Sequence, residues 1–129
     1  MQWVLDSTVL IDYLRGHAAV ARVGRLLDAG DTVATTAINV EEIVRGLRAP
    51  ELPAARTLFA GMEVLPITDR DAWLAGDWRR DHAARGITLA QADCLIAAVT
   101  LHNKSGLATG NPKDFAVIEG AVEHWPVGA

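Results

Sequence analysis

The stretch TLAQADCLIAAV, residues 88–99, is an almost entirely apolar segment with one carboxylate, and the rest of the chain is organised around it. Thr88 followed by Gln91 has the spacing of a capping box, which predicts a helix that begins at about Leu89. Asp93 then lies near the end of the first helical turn. Because the other side chains are small or apolar, this helix is expected to be buried on most sides. A carboxylate there is costly to desolvate, so Asp93 needs a hydrogen bond, a cation or a metal ion as its partner.

Length and composition predict one compact domain over residues 1–129, because half of the 129 residues are hydrophobic and 22% are charged. The one cysteine, Cys94, is expected to be a small buried hydrophobe, and it excludes an intramolecular disulfide or a multi-cysteine zinc site. No apolar run reaches the length of a membrane span, and the first residues lack the pattern of a signal peptide. We therefore expect a cytoplasmic protein without a membrane partner.

Short apolar or β-branched runs alternate with helical patterns along the chain. Strands are predicted at about 3–5, 32–36, 63–67, 106–109 and 122–125, and helices at about 9–14, 18–27, 38–47, 52–61, 69–85 and 89–101. Pro66 predicts that the third strand lies at an edge or ends early. This alternation predicts an α/β fold with a parallel sheet that is covered by helices on both faces.

Four carboxylates are predicted to meet at one edge of this sheet. Ser7 or Thr8 is expected to cap the first helix, which leaves Asp6 at the carboxyl end of the first strand. Three further acids follow strand ends or lie early in helices, namely Glu42, Asp93 and Asp114. Ligands of parallel sheets bind at the carboxyl ends of the strands, so the four can converge there.

Each acid also has a structural alternative. Asp6 is a possible helix cap, Glu42 a possible acid facing the helix dipole, and Asp114 a possible turn residue after Pro112. Four acids without matching basic partners nevertheless point to bound cations. Carboxylate oxygens are the ligands that Mg²⁺ and Mn²⁺ take, and a divalent cation would let a chain of net charge −4 attract phosphate.

Other chemistries leave no comparable pattern in the sequence. A glycine-rich phosphate loop, a dinucleotide fingerprint, a zinc-binding histidine spacing and a Gly-x-Ser-x-Gly motif are all absent.

Four motifs carry a family resemblance that covers nearly the whole chain. They are VLDSTVLID at 4–12, EIVRG at 42–46, DCLIAA at 93–98 and TGNPKDF at 109–115. In this order and spacing they resemble the successive motifs of PIN-domain ribonucleases, and the chain is most similar to the VapC toxins of bacterial type II toxin–antitoxin pairs.

The resemblance implies a three-layer α/β/α PIN domain that cuts RNA with Mg²⁺ or Mn²⁺. It assigns the catalytic, metal-binding positions to Asp6, Glu42, Asp93 and Asp114, with Ser7 and Asn111 in support. The Glu-Ile-x-x-Gly pattern selects Glu42 over Glu41, whereas the last motif leaves open whether Asn111 or Asp114 faces the metal. The implied products carry 3′-hydroxyl and 5′-phosphate ends, because a metal-activated water attacks the phosphodiester.

The same resemblance implies an RNA substrate (tRNA, rRNA or mRNA), a homodimer, and a VapB-like antitoxin that lays an amphipathic segment into an apolar groove. Arg15, Arg45 and Lys113 are candidates for steering the RNA backbone. Trp73 and Trp78 are candidates for lining this apolar surface, although their helical spacing favours the core or dimer packing. Two other classes compete, namely a PIN-like interaction module without catalysis and a metal-dependent nuclease that acts on DNA.

Overall fold

Strands and helices alternate as the sequence pattern predicts. The computed structural model describes residues 1–128. Its strands are β1 (Gln2–Leu5), β2 (Thr32–Thr36), β3 (Glu63–Leu65), β4 (Gly106–Thr109) and β5 (Val122–His124). Its helices are α1 (Ser7–Leu14), α2 (Ala18–Asp28), α3 (Ala37–Gly46), α4 (Leu52–Ala60), α5 (Asp69–Ala83) and α6 (Gln91–His102), with short 3₁₀ turns at Ala49–Glu51 and Pro112–Phe115.

The five strands form one sheet in the order β3-β2-β1-β4-β5, and every neighbouring pair is parallel. In the central strand, Val4 pairs with Ala34 on one side and with Leu107 on the other. The prediction of a parallel α/β sheet is therefore confirmed. β3 lies at an edge and ends at Leu65, as Pro66 predicted, because proline has no N–H to continue the ladder.

Two hydrophobic cores lie on opposite faces of the sheet, which gives three layers. Val4 and Leu107 pack with Ile96 of α6 on one face. Their chain neighbours Leu5 and Ala108 point to the other face, where they join a core of residues from α1, α2 and α3. Within residues 1–128, we find no helix with the length and apolar character needed to cross a membrane.

The start of α6 differs from the prediction. The helix begins at Gln91 rather than at Leu89, and Ala90 stands at the N-cap, so the predicted capping box of Thr88 is wrong. The Ala90 carbonyl accepts the first helical hydrogen bond, from the Cys94 N–H, whereas the Leu89 carbonyl accepts from Arg79 Nε of α5 at 3.2 Å.

Two other predictions concern side chains of α5 and α6, namely Cys94 and the two tryptophans Trp73 and Trp78. Cys94 is buried, as expected, and packs with Ala75 and Ala98 between α5 and α6. Trp78 also packs against the core. Trp73 is 69% exposed on α5, which excludes a core position and leaves dimer packing as a prediction for this residue.

Candidate active site

Asp6 immediately follows β1 at the carboxyl edge of the sheet. It is 6% exposed, and α1 begins at the next residue, so its backbone stands at the N-cap that was predicted for Ser7 or Thr8. Its side chain instead accepts hydrogen bonds on Oδ2 from the hydroxyls of Thr8 (3.1 Å) and Thr109 (2.8 Å). These neutral donors fix the orientation of the carboxylate and leave its charge in place.

Glu42 is connected to Asp6 through two polar side chains. Asn39 donates from Nδ2 to Asp6 Oδ1 at 3.3 Å and to Ser7 Oγ at 3.0 Å. The Ser7 hydroxyl in turn donates to Glu42 Oε1 at 2.8 Å. Glu41, by contrast, lies exposed on the helix and accepts two hydrogen bonds from Arg45. Glu42 therefore belongs to the hydrogen-bond network of Asp6, whereas Glu41 pairs with Arg45 outside it.

Asp93 is the third residue of α6, where the helix N-terminus favours an anion. Its pKa is nevertheless raised from 3.8 to about 6, first by burial and then by the negative charges of Asp114, Asp6 and Glu42. The charges of the other three carboxylates thus all act on Asp93.

Asp114 and Asn111 occupy the turn that follows β4. Asp114 exerts the largest of the three charge effects on Asp93 and lies in the 3₁₀ turn Pro112–Phe115. Asn111 precedes that turn, and its backbone N–H donates to Thr109 Oγ1 at 3.0 Å. The charge of Asp114 thus acts on Asp93, whereas Asn111 is neutral and has no such effect, so the choice between Asp114 and Asn111 stays a prediction.

The four carboxylates are coupled without forming a closed ligand set. In the part of the chain that the structure describes, no group of three or more His, Cys, Asp or Glu side chains is placed to hold a metal ion. The ion pairs among residues 1–128 involve other acids, such as Glu41 and Asp71. Mg²⁺ fits such an open group, because it keeps several waters and binds through one or two carboxylates plus substrate phosphates.

Comparison with known proteins identifies the family. Residues 3–120 match the family described as PIN domain. The chain belongs to the PIN domain family.

Two curated relatives and a solved structure resemble this PIN domain. Ribonuclease VapC10 of Mycobacterium tuberculosis is 32% identical over 118 residues, which cover 90% of this chain and 87% of the relative. Ribonuclease VapC19 of the same organism is 27% identical over 113 residues, which cover 87% and 90%. VapBC-5 from Mycobacterium tuberculosis, a member of the VapBC family of toxin-antitoxin systems, is 28% identical and has a TM-score of 0.63, with 98% of both chains covered. The predicted resemblance and the α/β/α fold are thereby confirmed.

Three polar residues of this PIN domain were not predicted as part of the site. They are Thr8, Asn39 and Thr109, which donate to Asp6. A signal for Asn39 was present, because Thr36 and Asn39 have capping-box spacing and form that box at the start of α3. For the two threonines the signal was only their position beside strand ends.

The three cationic residues that were predicted to steer RNA, Arg15, Arg45 and Lys113, differ in their position relative to the acidic group and in their ion pairs. Arg15 lines a cleft of about 140 Å³ together with Glu42, which places a cation beside the acidic group. Arg45 is held by Glu41 on the same helix. Lys113 is exposed and directly precedes Asp114. Arg15 and Lys113 are therefore the better candidates for contact with a phosphate backbone.

Proposed function

We propose that this PIN domain is a metal-dependent endoribonuclease, the toxin of a VapBC-type pair, with Asp6, Glu42, Asp93 and Asp114 as its metal-binding, catalytic carboxylates. The observation that carries the proposal is the grouping of the acids: Asn39 and Ser7 join Asp6 to Glu42 by hydrogen bonds, and the charges of Asp114, Asp6 and Glu42 help to raise the pKa of Asp93. Perturbed carboxylates concentrate at functional sites. The names of the VapC relatives, both ribonucleases, support the activity.

The donor set suits Mg²⁺ or Mn²⁺, since all four ligands would be hard carboxylate oxygens. When bound, such an ion lowers the pKa of a coordinated water and offsets negative charge on the scissile phosphate. A divalent cation would also relieve the repulsion that raises the pKa of Asp93.

The chain itself contributes orientation and charge. The carboxylate of Asp6 is held by hydroxyl and amide donors, and that of Glu42 by the Ser7 hydroxyl. The hydrolysis adds a water oxygen to phosphorus and breaks the bond to the 3′-oxygen, which takes up a proton. The products are a 5′-phosphate and a 3′-hydroxyl. Arg15, beside Glu42 in the same cleft, is placed to hold a neighbouring phosphate.

We further propose a VapB-like antitoxin as the partner, on the similarity to a toxin-antitoxin member. An apolar groove of about 470 Å³ between α1, α2 and α4 suits the amphipathic segment of such a partner. A homodimer is proposed as well, because the indole of Trp73 is exposed on α5 and exposed tryptophans are enriched at protein interfaces.

The test is RNA cleavage by antitoxin-free protein, with wild type beside Asp93→Asn, in Mg²⁺ or Mn²⁺ and again in EDTA. A mixture of tRNA and rRNA serves as substrate, and the new ends are mapped. We expect 5′-phosphate ends that depend on the metal. Asp93→Asn should lower the rate by about 100-fold or more, because several kcal/mol of metal-assisted barrier lowering is lost.

The alternatives are separated by the same experiment. Cleavage that survives EDTA or the substitution would contradict the mechanism. Equal cutting of a 2′-deoxy substrate would indicate a nuclease that acts on DNA. A folded wild-type protein that binds Mn²⁺ and cuts none of these substrates would favour the interaction module without catalysis.

A further inference from the structure

Asn39 is a completely buried amide at the centre of the polar network, with 0% of its surface exposed. Its Oδ1 accepts hydrogen bonds from the Thr36 hydroxyl (2.7 Å) and from the Thr36 backbone N–H (3.3 Å). Its Nδ2 donates to Asp6 Oδ1 (3.3 Å) and to Ser7 Oγ (3.0 Å). Both donors and both acceptor positions of the amide are therefore in use.

The helix cap fixes which end of this amide faces the carboxylates. In the capping box of α3, the Thr36 backbone N–H requires an acceptor, and Asn39 supplies Oδ1. A flipped amide would place its NH₂ group against the Thr36 N–H and its oxygen against the Asp6 carboxylate. Both contacts would be repulsive, so the donor end is directed at Asp6 and Ser7.

This orientation passes on to Glu42 through Ser7. Because Ser7 Oγ accepts a hydrogen from Asn39, its own hydrogen is free to point to Glu42 Oε1, 2.8 Å away. The buried side chain of Asn39 thus orients two carboxylates from different elements. They are Asp6 at the end of β1 and Glu42 in the middle of α3.

The donors also determine which part of Asp6 remains available. Its Oδ2 accepts from Thr8 and Thr109, whereas Oδ1 accepts from Asn39 alone. A carboxylate oxygen has two lone pairs, so the open position of Asp6 is on Oδ1. The hydrogen bond from Asn39 decides in which direction this remaining lone pair points.

We propose that Asn39 is a positioning residue of the site, which aligns Asp6 directly and Glu42 through Ser7 so that both offer oxygen to one cation. This inference rests on the proposed metal-dependent function. It assigns a role beyond helix capping, since a cap alone would need only the Oδ1 side of the amide. Residues that orient metal ligands typically affect metal affinity as strongly as they affect activity.

The test measures Mn²⁺ binding by isothermal titration calorimetry on the RNA-free protein, with Asn39→Ala beside wild type. We expect the affinity for Mn²⁺ to fall about 10-fold or more in the variant. Asn39→Ser is the second variant, because it keeps a small polar group in the buried position and is too short to reach Asp6. If Asn39→Ala fails to fold, Asn39→Ser is expected to fold, and its affinity for Mn²⁺ should also be lower than that of wild type.

Asp71→Ala is the matched control for the capping role. Asp71 is buried at the third position of α5, forms the reciprocal box with Thr68, and bonds to His102 at the far end of α6 from Asp93. His102 lies nine residue steps after Asp93 along α6, which corresponds to a rise of about 14 Å. The control should lose thermal stability while its Mn²⁺ affinity stays within about twofold of wild type, as for distant sites.

The outcomes separate the two proposals. Wild-type affinity for Mn²⁺ in folded Asn39→Ala or Asn39→Ser would overturn the role of Asn39 and leave the metal-dependent function standing. An equal loss of Mn²⁺ affinity in Asp71→Ala would also overturn it, because the effect would then follow from stability alone. A wild-type protein that binds no Mn²⁺ would overturn both proposals.

Discussion

At the scale of single residues, the ionised carboxylate of Asp93 is expected to destabilise the metal-free fold. Its pKa is raised to about 6 by burial and by Asp114, Asp6 and Glu42. A group whose pKa is higher in the folded than in the unfolded chain contributes stability that is fully present below the unfolded value and lost as pH rises through the folded value. The metal-free protein should therefore lose stability from this group between about pH 4 and pH 6.

Asp93→Asn should consequently stabilise the metal-free protein at pH 7.5. A shift of this size corresponds to about 3 kcal/mol, and partial exposure of the side chain to solvent reduces the expected gain to about 1 to 2 kcal/mol. Thermal unfolding in EDTA at pH 7.5 and pH 4 measures it, and the gain should be smaller at the lower pH, where Asp93 is largely protonated. Asp81→Asn, an exposed acid on α5, is the control and should change the melting temperature little.

A lower melting temperature for Asp93→Asn than for wild type at pH 7.5 would contradict this account. It would mean that the carboxylate is stabilised by a partner in the fold rather than strained by burial and repulsion.

At the residue scale, the acids of the site could be predicted from sequence, whereas the residues that orient them could not. Asp6, Asp93 and Asp114 could be proposed from sequence because an acid beside a strand end or in a first helical turn is a local feature. Glu42 was expected early in its helix and lies in the middle of α3, so it could be proposed only from its Glu-Ile-x-x-Gly motif. The donors to Asp6 could not, since Asn39 and Thr109 reach it across 33 and 103 residues of chain. Hydrogen bonds of that separation depend on the register of the sheet.

At the scale of elements, local signals predicted most strand and helix positions, and tertiary contacts decided the exceptions. Pro66 correctly predicted an edge strand because the missing N–H is a local property. Thr88 is not the cap of α6, which begins after Ala90, and the Leu89 carbonyl accepts a hydrogen bond from Arg79 of the neighbouring helix. A capping-box spacing cannot reveal a competing donor from another element.

The pairing of β1 with β4 depends on a glycine that no local pattern explains. Gly106 pairs with Trp3, and a Cβ atom at Gly106 would lie 2.5 Å from the indole carbons Cε3 and Cζ3. Gly106→Ala should therefore displace the ring and lower the free energy of unfolding by about 1 to 3 kcal/mol, as overpacking does. Urea unfolding measures the loss.

The double variant with Trp3→Leu provides the control for this prediction. When the ring is removed, the added methyl group meets no indole, so Gly106→Ala should cost less in the Trp3→Leu background than in wild type. An equal cost in both backgrounds would show that the strand itself, rather than the indole, requires glycine.

At the scale of the whole molecule, the apolar groove and the cleft of Arg15 and Glu42 have only Leu14 in common among their lining residues. The groove is lined by side chains of α1, α2 and α4, among them Tyr13, Val23, Leu27 and Leu58. The acidic group instead follows the ends of β1 and β4 and includes the middle of α3 and the start of α6. Partner binding at the groove and RNA cleavage should therefore respond to different substitutions.

Leu27→Glu tests this separation, because Leu27 lines the groove and is already 51% exposed, so the variant should fold. A buried charge against an apolar partner segment should weaken the binding of the purified cognate VapB-like antitoxin by roughly 10- to 100-fold, the range of a hot-spot loss. Leu101→Glu on α6, at a leucine of 42% exposure outside the groove, is the matched control. Titration calorimetry gives the affinities, and RNA cleavage by the free variants should equal that of wild type. If Leu27→Glu and Leu101→Glu bind the antitoxin equally well, the partner docks elsewhere on the molecule.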